Sequence, residues 1–271
     1  MTTDFAAAIS SLDHQIDLAR AALLFARDAY PGLDPDRYLH QLDVWADAIR
    51  PALASRRSEP PFEVLNDLLF DQLGFYGNDT DYYDPRNSYL NEVIERRTGL
   101  PIALSVIYLE IGWRVGLPVS GVGLPGHFIV RCDLDKRTWF IDPFHRGDVL
   151  SEADCARLVR QSVGDLPFSP ALLQPVTRRQ IITRMLTNLQ VIYVQHEQFA
   201  QARTVIERLL ELDPAAPEHV RDLGLIHFRL GAFRRAIDLL VAYAALKPKA
   251  GDLNSIQQVI QVAHGELARW N

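Results

Sequence analysis

Two side chains at the ends of a predicted β-hairpin have the types and spacing that catalysis or ligand binding requires. His127 precedes a strand over residues 128–131, and Asp142 follows a strand over residues 138–141. If a four-residue loop over 133–136 sets the register, His127 faces Asp142 across the ladder, where opposed Cβ atoms lie about 5 Å apart. An imidazole oriented by a carboxylate can act as a general base or bind a polar ligand. A purely structural role, in which the pair holds the hairpin, is the other interpretation.

Side chains that could attack a substrate beside this pair are scarce. Ser105 lies on an apolar helix, where a small residue packed against the sheet is the simpler interpretation, so it is only an alternative nucleophile. Cys132 lies near the other end of the hairpin and is interpreted as a half-buried small residue. With Cys155 it forms neither a C-x-x-C pair nor a zinc-type spacing, which favours a reducing, cytoplasmic setting.

The pair is predicted to rest on a buried helix and an antiparallel sheet. Pro101 can open a helix that runs to Trp113, because proline is tolerated where the first-turn N–H has no partner. This helix is apolar on nearly all sides, which places it in the middle of a domain. The hydrophobic period then changes to two, and strands are predicted over 119–122, 128–131 and 138–141.

The region before the central helix is predicted to be mainly helical. Apolar residues recur at three- and four-residue steps over 6–29, 36–49 and 61–73. A polar, aromatic stretch over 77–85 favours turns. Asn87 or Ser88 can then cap a short helix that runs to about residue 97.

The last third of the chain contains an internal repeat with a period of 34 residues. The matched positions are Phe199 and Phe233, Ala202 and Ala236, and Pro214 and Pro248. Paired helices with this period are typical of tetratricopeptide repeats. A final helix over 252–270 is predicted to cap the array.

Several motifs together resemble one known family. The motifs are Tyr82-Tyr83-Asp84-Pro85-Arg86-Asn87-Ser88-Tyr89-Leu90-Asn91-Glu92, Arg97-Thr98-Gly99-Leu100-Pro101-Ile102, Gly123-Leu124-Pro125-Gly126-His127-Phe128 and Phe140-Ile141-Asp142-Pro143. They resemble the SirB-type bacterial branch of the transglutaminase-like superfamily, which joins such a domain to a tetratricopeptide tail. The resemblance implies an α+β, papain-type domain with N-terminal helices, a buried central helix and an antiparallel sheet, followed by all-α repeats. We place these domains at residues 1–175 and 176–271.

The same resemblance implies a site without its nucleophile. In active members a cysteine thiolate opens the central helix, a histidine moves the proton, and an aspartate orients the histidine. His127 and Asp142 match the last two, but the position of the cysteine is occupied by Pro101, which has no reactive group. Asn87, Tyr89 and Asn91 could line the same cleft, although helix capping and local packing are the alternative explanation.

Composition excludes several other functions. The net charge is −6, and no long basic stripe occurs, so we predict no binding to nucleic acid or to a membrane. The longest apolar run, over 100–109, is too short to span a bilayer. A metal site from His127, Asp142 and His145 would lack a recognisable ligand spacing, so we predict neither a metal nor a cofactor.

These observations favour a non-catalytic interaction protein with an unidentified protein or peptide partner. The degenerate cleft would bind a peptide or side chain, and the repeats would bind a partner or pack against the protein's own first domain. Arg184, Thr187 and Arg221 are the predicted polar residues of the repeat groove. The alternative is a hydrolase or acyl-transfer enzyme in which His127 activates water or Ser105.

Overall fold

The computed structural model describes residues 4–164 and 167–269, which form two compact units. The first unit extends to Met185, and the second begins at Leu186. The α-helices are α1 (Asp4–Ala8), α2 (Leu18–Ala26), α3 (Pro35–Ser55), α4 (Pro61–Asn66), α5 (Leu90–Arg96), α6 (Pro101–Arg114), α7 (Glu152–Val163), α8 (Arg178–Gln195), α9 (Phe199–Leu212), α10 (Pro217–Arg229), α11 (Phe233–Leu246) and α12 (Leu253–Arg269). The strands are β1 (Tyr76–Gly77), β2 (Thr98–Gly99), β3 (Val119–Val122), β4 (Ile129–Leu134), β5 (Arg137–Asp142) and β6 (Asp148–Leu150). No described helix is both long enough and apolar enough to cross a membrane.

The N-terminal helices are shorter and more often interrupted than their hydrophobic period predicts. The continuous helix predicted over 6–29 is wrong: α1 ends at Ala8, a 3-10 turn covers Asp13–Gln15, and α2 begins at Leu18. Asp17 explains the restart, since its side chain accepts the N–H of Arg20 as an N-cap. The helix predicted over 61–73 likewise changes at residue 67 from α4 into a π-helical turn.

The prediction that the central helix α6 lies in the middle of the first unit is confirmed. Every residue from 101 to 112 is buried, including Ser105 and Glu110. The Glu110 carboxylate accepts the N–H of Ala19 at 2.9 Å and the guanidinium of Arg114, which in turn donates to Asp43 at 2.7 Å. A charged residue is tolerated on this helix because each oxygen has a donor.

The main sheet is antiparallel, with strand order β3-β4-β5-β6. The predicted strand at 119–122 is confirmed, and the next two strands are longer than predicted. The fourth strand, β6, was not predicted because three residues are too few to show a period. Its pairing joins Asp142 to Asp148, so the end of β5 is held from both sides.

The predicted register of the hairpin is wrong by two residues. Val130 pairs with Ile141 rather than with Trp139, and the loop contains only Asp135 and Lys136. Both loop residues have positive φ, 49° and 64°, as a two-residue type I′ turn requires. A shift of two residues keeps every side chain on its face. His127 therefore approaches Asp142 diagonally across the ladder.

The second unit consists of antiparallel helix pairs, with α9 to α12 packed in sequence order. The two repeat alanines, Ala202 and Ala236, are fully buried. Gly224 on α10 lies so close to α11 that an added Cβ would be 2.8 Å from the Leu240 side chain. Small residues at these crossings let the helices approach, as the repeat pattern predicts.

Candidate functional site

His127 and Asp142 form a buried hydrogen-bonded pair in the first unit. The Nε2 atom of His127 lies 2.8 Å from Oδ2 of Asp142. Asp142 is fully buried, and His127 is 7% exposed. The carboxylate is ionised and can only accept, so Nε2–H donates and Nδ1 is left with its lone pair. Among the described residues Nδ1 has no hydrogen-bond partner, as a base requires.

A second imidazole shares the carboxylate. Nδ1–H of His145 also donates to Oδ2 of Asp142, at 2.8 Å, and the N–H of Phe144 donates to Oδ1 at 3.0 Å. Burial alone would raise the pKa of Asp142, but His127 and His145 together outweigh it and lower this pKa to about 2. The hydrogen bond to Asp142 raises the pKa of His145 in return. Sequence reasoning did not include His145 in the pair, although its i+3 position after Asp142-Pro143 was an available signal.

The same three side chains could hold a metal ion. Their donor atoms all lie within 4.8 Å of one another. In the present arrangement, however, both imidazole nitrogens donate hydrogen bonds to a single carboxylate oxygen. A metal would need their lone pairs instead, at about 2.0–2.1 Å. The absence of a metal therefore stays a prediction.

No side-chain nucleophile faces the imidazole from the central helix. Pro101 is the first residue of α6, with Leu100 before it as an N-cap without a capping side chain. Ser105 is fully buried, and its Oγ makes no hydrogen bond to any described residue. A serine nucleophile would need a bond to His127, so the serine version of the enzyme hypothesis lacks this contact, whereas the water version does not depend on it.

The two cysteines also lack the properties of a nucleophile. Cys132 and Cys155 are free and buried. Burial raises the pKa of each thiol to about 11. A thiol with this pKa is almost entirely protonated near neutral pH and reacts slowly.

Arg184 holds the backbone that carries His127. Its guanidinium donates to the carbonyl oxygens of Leu124 and His127, both at 2.7 Å, and lies 5.5 Å from the centre of the Phe128 ring. Burial lowers the pKa of Arg184. Both acceptors lie in the first unit, so these contacts favour a structural role, and the place of Arg184 in a repeat groove stays a prediction.

Aromatic rings cover the pair. The Phe144 ring lies edge-on to both imidazoles, 6.0 Å from His127 and 5.2 Å from His145 between ring centres. Tyr82 in turn lies edge-on to Phe144 at 6.3 Å, and burial raises the pKa of its hydroxyl. Gly77 faces the Phe144 ring so closely that an added Cβ would be 2.5 Å from it.

The predicted cleft residues Asn87, Tyr89 and Asn91 are all buried. Asn87 accepts from Asn78 and donates to the carbonyl of Asp81, so it holds the preceding loop together. The Tyr89 ring packs edge-on against Tyr30 at 5.3 Å. The Oδ1 atom of Asn91 makes no hydrogen bond to a described residue. These contacts favour a structural role, and cleft binding by the three residues stays a prediction.

The two predicted groove residues of the second unit, Thr187 and Arg221, differ in their surroundings. Thr187 is exposed. Arg221 is bound by its neighbours: its guanidinium forms ion pairs with Asp222 at 2.7 Å and Asp252 at 3.1 Å, and lies 5.8 Å from the Tyr243 ring centre. Much of the hydrogen-bonding capacity of Arg221 is thus used within the unit. Its role in binding a partner stays a prediction.

Comparison with known families gives two matches that divide the chain. Residues 36–187 match the family described as "Transglutaminase-like superfamily", and residues 189–261 match the family described as "Tetratricopeptide repeat". The first match includes His127, Asp142 and Arg184. No solved structure matches the chain significantly.

Relatives cover most of the chain. A UPF0162 protein of Xylella fastidiosa (strain 9a5c) is 37% identical over 250 residues, which cover 90% of this chain and 89% of that protein. A UPF0162 protein of Vibrio cholerae is 29% identical and covers 69% of this chain and 70% of its own length. F-box only protein 21 of Homo sapiens is 34% identical over 181 residues, which cover 62% of this chain and 28% of that protein. The chain therefore belongs to the transglutaminase-like superfamily, in the SirB-type branch that joins this domain to tetratricopeptide repeats.

Proposed function

We propose that this protein is a non-catalytic interaction protein, in which a transglutaminase-like site without its nucleophile binds a peptide or side chain. The observation that carries the proposal is Pro101 at the start of α6, where the superfamily pattern has its cysteine. Ser105, Cys132 and Cys155 are buried and do not replace it. The base and its carboxylate remain, so the site keeps its capacity for hydrogen bonding.

The repeat unit supports the interaction part of this proposal. Tetratricopeptide repeats present helix faces to partner proteins. Among the described residues of the second unit, six large apolar side chains are at least 39% exposed: Val191, Val194, Leu230, Val241, Leu246 and Val262. Since Arg221 is already paired, apolar contacts are the better supported means of binding, and a peptide with apolar anchors is the partner that fits.

One observation favours the second candidate, a hydrolase that uses water. Nδ1 of His127 has no hydrogen-bond partner among the described residues, and Nε2 is bonded to an ionised carboxylate, as in a general base. Water could occupy the place of the missing thiol. The two candidates differ in one measurable respect, which is turnover.

The first experiment measures catalysis in wild type, Pro101→Cys and His127→Ala. Each protein is incubated with glutamine-containing peptides and a fluorescent amine, and hydrolysis and amine incorporation are both followed. We expect no turnover by wild type, because no nucleophile is present. Turnover by wild type that disappears in His127→Ala would overturn the non-catalytic function in favour of the water mechanism.

Pro101→Cys is the variant of that experiment in which a nucleophile is restored. A thiol at position 101 would lie at the N-terminus of α6 and, by the superfamily pattern, would face His127. A helix N-terminus and a neighbouring imidazolium each lower the pKa of a thiol. We expect it to be alkylated by iodoacetamide at pH 6.5 about tenfold faster than in the double variant Pro101→Cys/His127→Ala. The buried Cys132 and Cys155 provide the internal reference for slow labelling.

The second experiment measures binding. Tagged wild type, His127→Ala and Arg221→Glu are used to capture partners from extracts of the source organism, with Asp238→Asn as a surface control. We expect at least one partner whose capture is reduced by His127→Ala or Arg221→Glu and not by the control. Identical capture by all four proteins would contradict an interaction function for both units.

A further inference from the structure

A cavity at the tip of the hairpin lies apart from the His127 site. Its volume is 630 Å³, within the range of small-ligand and peptide pockets. Its walls come from the end of α3, the start of α4, and the tip and first half of β5. Arg137 and Asp142 are five residues apart on β5, which corresponds to about 17 Å along a strand.

Two guanidinium groups in this cavity have no ion-pair partner within residues 4–164 and 167–269. Arg57 donates only its Nε–H, to the carbonyl of Ala54, and Arg137 on the hairpin forms no ion pair. Arg56 differs, because it is neutralised by Glu59 and Asp67. Asp135, which also lines the cavity, likewise forms no ion pair with a described residue. The cavity therefore presents two free guanidinium groups beside one free carboxylate, on a chain whose net charge is −6.

The floor between the two cations is apolar and aromatic. Trp139, half-buried, packs on Phe62 with ring centres 5.2 Å apart and shares a strand face with Arg137. Its indole N–H donates to none of the described residues and is not enclosed. The other apolar walls are Leu53, Pro60, Pro61, Val64 and Leu134. Tryptophan and arginine are among the residue types enriched at the binding hot spots of protein interfaces.

From this arrangement we infer that the cavity is a second binding site, which takes a peptide segment of a partner protein with an acidic side chain next to a bulky apolar one. The carboxylate accepts from Arg57, Arg137 and the indole N–H, and the apolar side chain lies on Trp139 and the two prolines. Charge complementarity favours this occupant, since the two free guanidinium groups outnumber the single free carboxylate of Asp135. The site does not depend on whether the His127 site is catalytic.

The test uses the full chain and two immobilised peptide sets. Each peptide in the first set has an acidic residue next to a leucine or phenylalanine at otherwise randomised positions, and the second set carries the corresponding amides. Binding by wild type is compared with Arg57→Glu/Arg137→Glu. The double variant Arg234→Glu/Arg235→Glu, on the exposed first turn of α11, is the control with the same change in charge.

We expect wild type and the control to bind acidic peptides, and the pocket variant to lose about tenfold or more in affinity for the best of them. The indole N–H signal of Trp139, assigned by its loss in Trp139→Phe, should shift when that peptide is titrated. Binding that survives in the pocket variant but is lost in His127→Ala would locate the peptide at the other site and overturn this inference.

Three other outcomes would also overturn it. They are equal binding of the acidic and amide sets, no peptide binding above the level of the pocket variant, and a Trp139 shift produced by inorganic phosphate without peptide binding. The last outcome would identify a small-anion site instead. Failure here leaves the turnover and capture experiments on the His127 site unaffected, so the two hypotheses are separately testable.

Discussion

Two buried carboxylates of the first unit have opposite pKa shifts. Asp142, fully buried, has a pKa lowered to about 2, because two imidazoles outweigh the effect of burial. Glu110, 5% exposed, has a raised pKa, because burial outweighs the ion pair with Arg114 and the nearby Asp17 adds like charge. Both have donors on their oxygens, so donor number alone does not decide the charge state. The balance between burial, which raises each pKa, and the neighbouring groups that lower it does.

This difference separates a site from a structural network. The donors of Asp142 include two imidazoles, and one of them, His127, makes no hydrogen bond through its other ring nitrogen to a described residue. Glu110 is held by a backbone N–H and an arginine, neither of which titrates in the usual range. The first arrangement leaves a ring nitrogen for a ligand to contact, whereas the second uses both carboxylate oxygens within the fold.

The largest expected change in stability comes from replacing one of the two carboxylates by its amide. Asp142→Asn should lower the free energy of unfolding at pH 7 by about 3 kcal/mol, since it leaves buried donors without an ionised acceptor. Glu110→Gln should lower the free energy of unfolding by about 1 kcal/mol or less, because burial already disfavours the ionised carboxylate that the substitution removes. Urea unfolding measures both, with the exposed Asp238→Asn as control. Equal losses would remove the distinction between the two carboxylates.

The pH dependence of stability should differ in sign at the two positions. The folded pKa of Asp142 is depressed from 3.8 to about 2, so its contribution is present above about pH 4 and is lost as the pH falls toward 2. That loss amounts to about 2 kcal/mol. The pKa of Glu110 is raised from 4.5, so its contribution is present below that pH and is lost as the pH rises above it. Unfolding of wild type, Asp142→Asn and Glu110→Gln between pH 2 and 7 should show these opposite slopes.

Replacing Arg114 tests how much its positive charge contributes to the Glu110 network. Arg114→Met keeps the length of the side chain but leaves Glu110 with only the Ala19 N–H. We expect a loss of about 1–2 kcal/mol at pH 8 and a smaller loss at pH 5, where Glu110 can take up a proton. A loss independent of pH would show that packing by the arginine stem, not charge, is what matters.

The smallest effect is expected at the second imidazole. The His145 side chain is 52% exposed, so solvent screening limits its contribution to less than about 1 kcal/mol. Its pKa is raised from 6.5, so this contribution is present below that pH and is lost as the pH rises through the folded pKa. The difference in stability between wild type and His145→Gln should therefore shrink from pH 6 to 9. A constant difference would assign His145 a packing role.

Much of the architecture around the site follows from local sequence patterns. The apolar helix that Pro101 opens, the strand at 119–122 and the paired helices of the repeats were all predicted, because each has a period that its own residues set. The register of the hairpin was predicted wrongly. Asp135 and Lys136 adopt positive φ without the glycine or asparagine that usually marks a type I′ turn. The meeting of His127 with Asp142 survived this error only because the shift was even.

The parts of the site that the sequence did not predict depend on long-range contacts. Arg184 reaches the carbonyl of His127 across 57 residues, and no local pattern distinguishes it from a groove arginine. Asn87 looked like a helix cap, but its amide holds the loop at Asp81 instead. The pairing of Arg221 likewise depends on Asp252, thirty-one residues away.

Gly77 adds a constraint that a survey of reactive residues would overlook. Even one methyl group there would drive the Phe144 ring from its place, and that ring touches both imidazoles. A chain that keeps histidine and aspartate but carries a larger residue at this strand position would thus have a disturbed site despite an intact signature. The bare backbone of one short strand, with no functional group of its own, leaves the space that the Phe144 ring occupies beside the site.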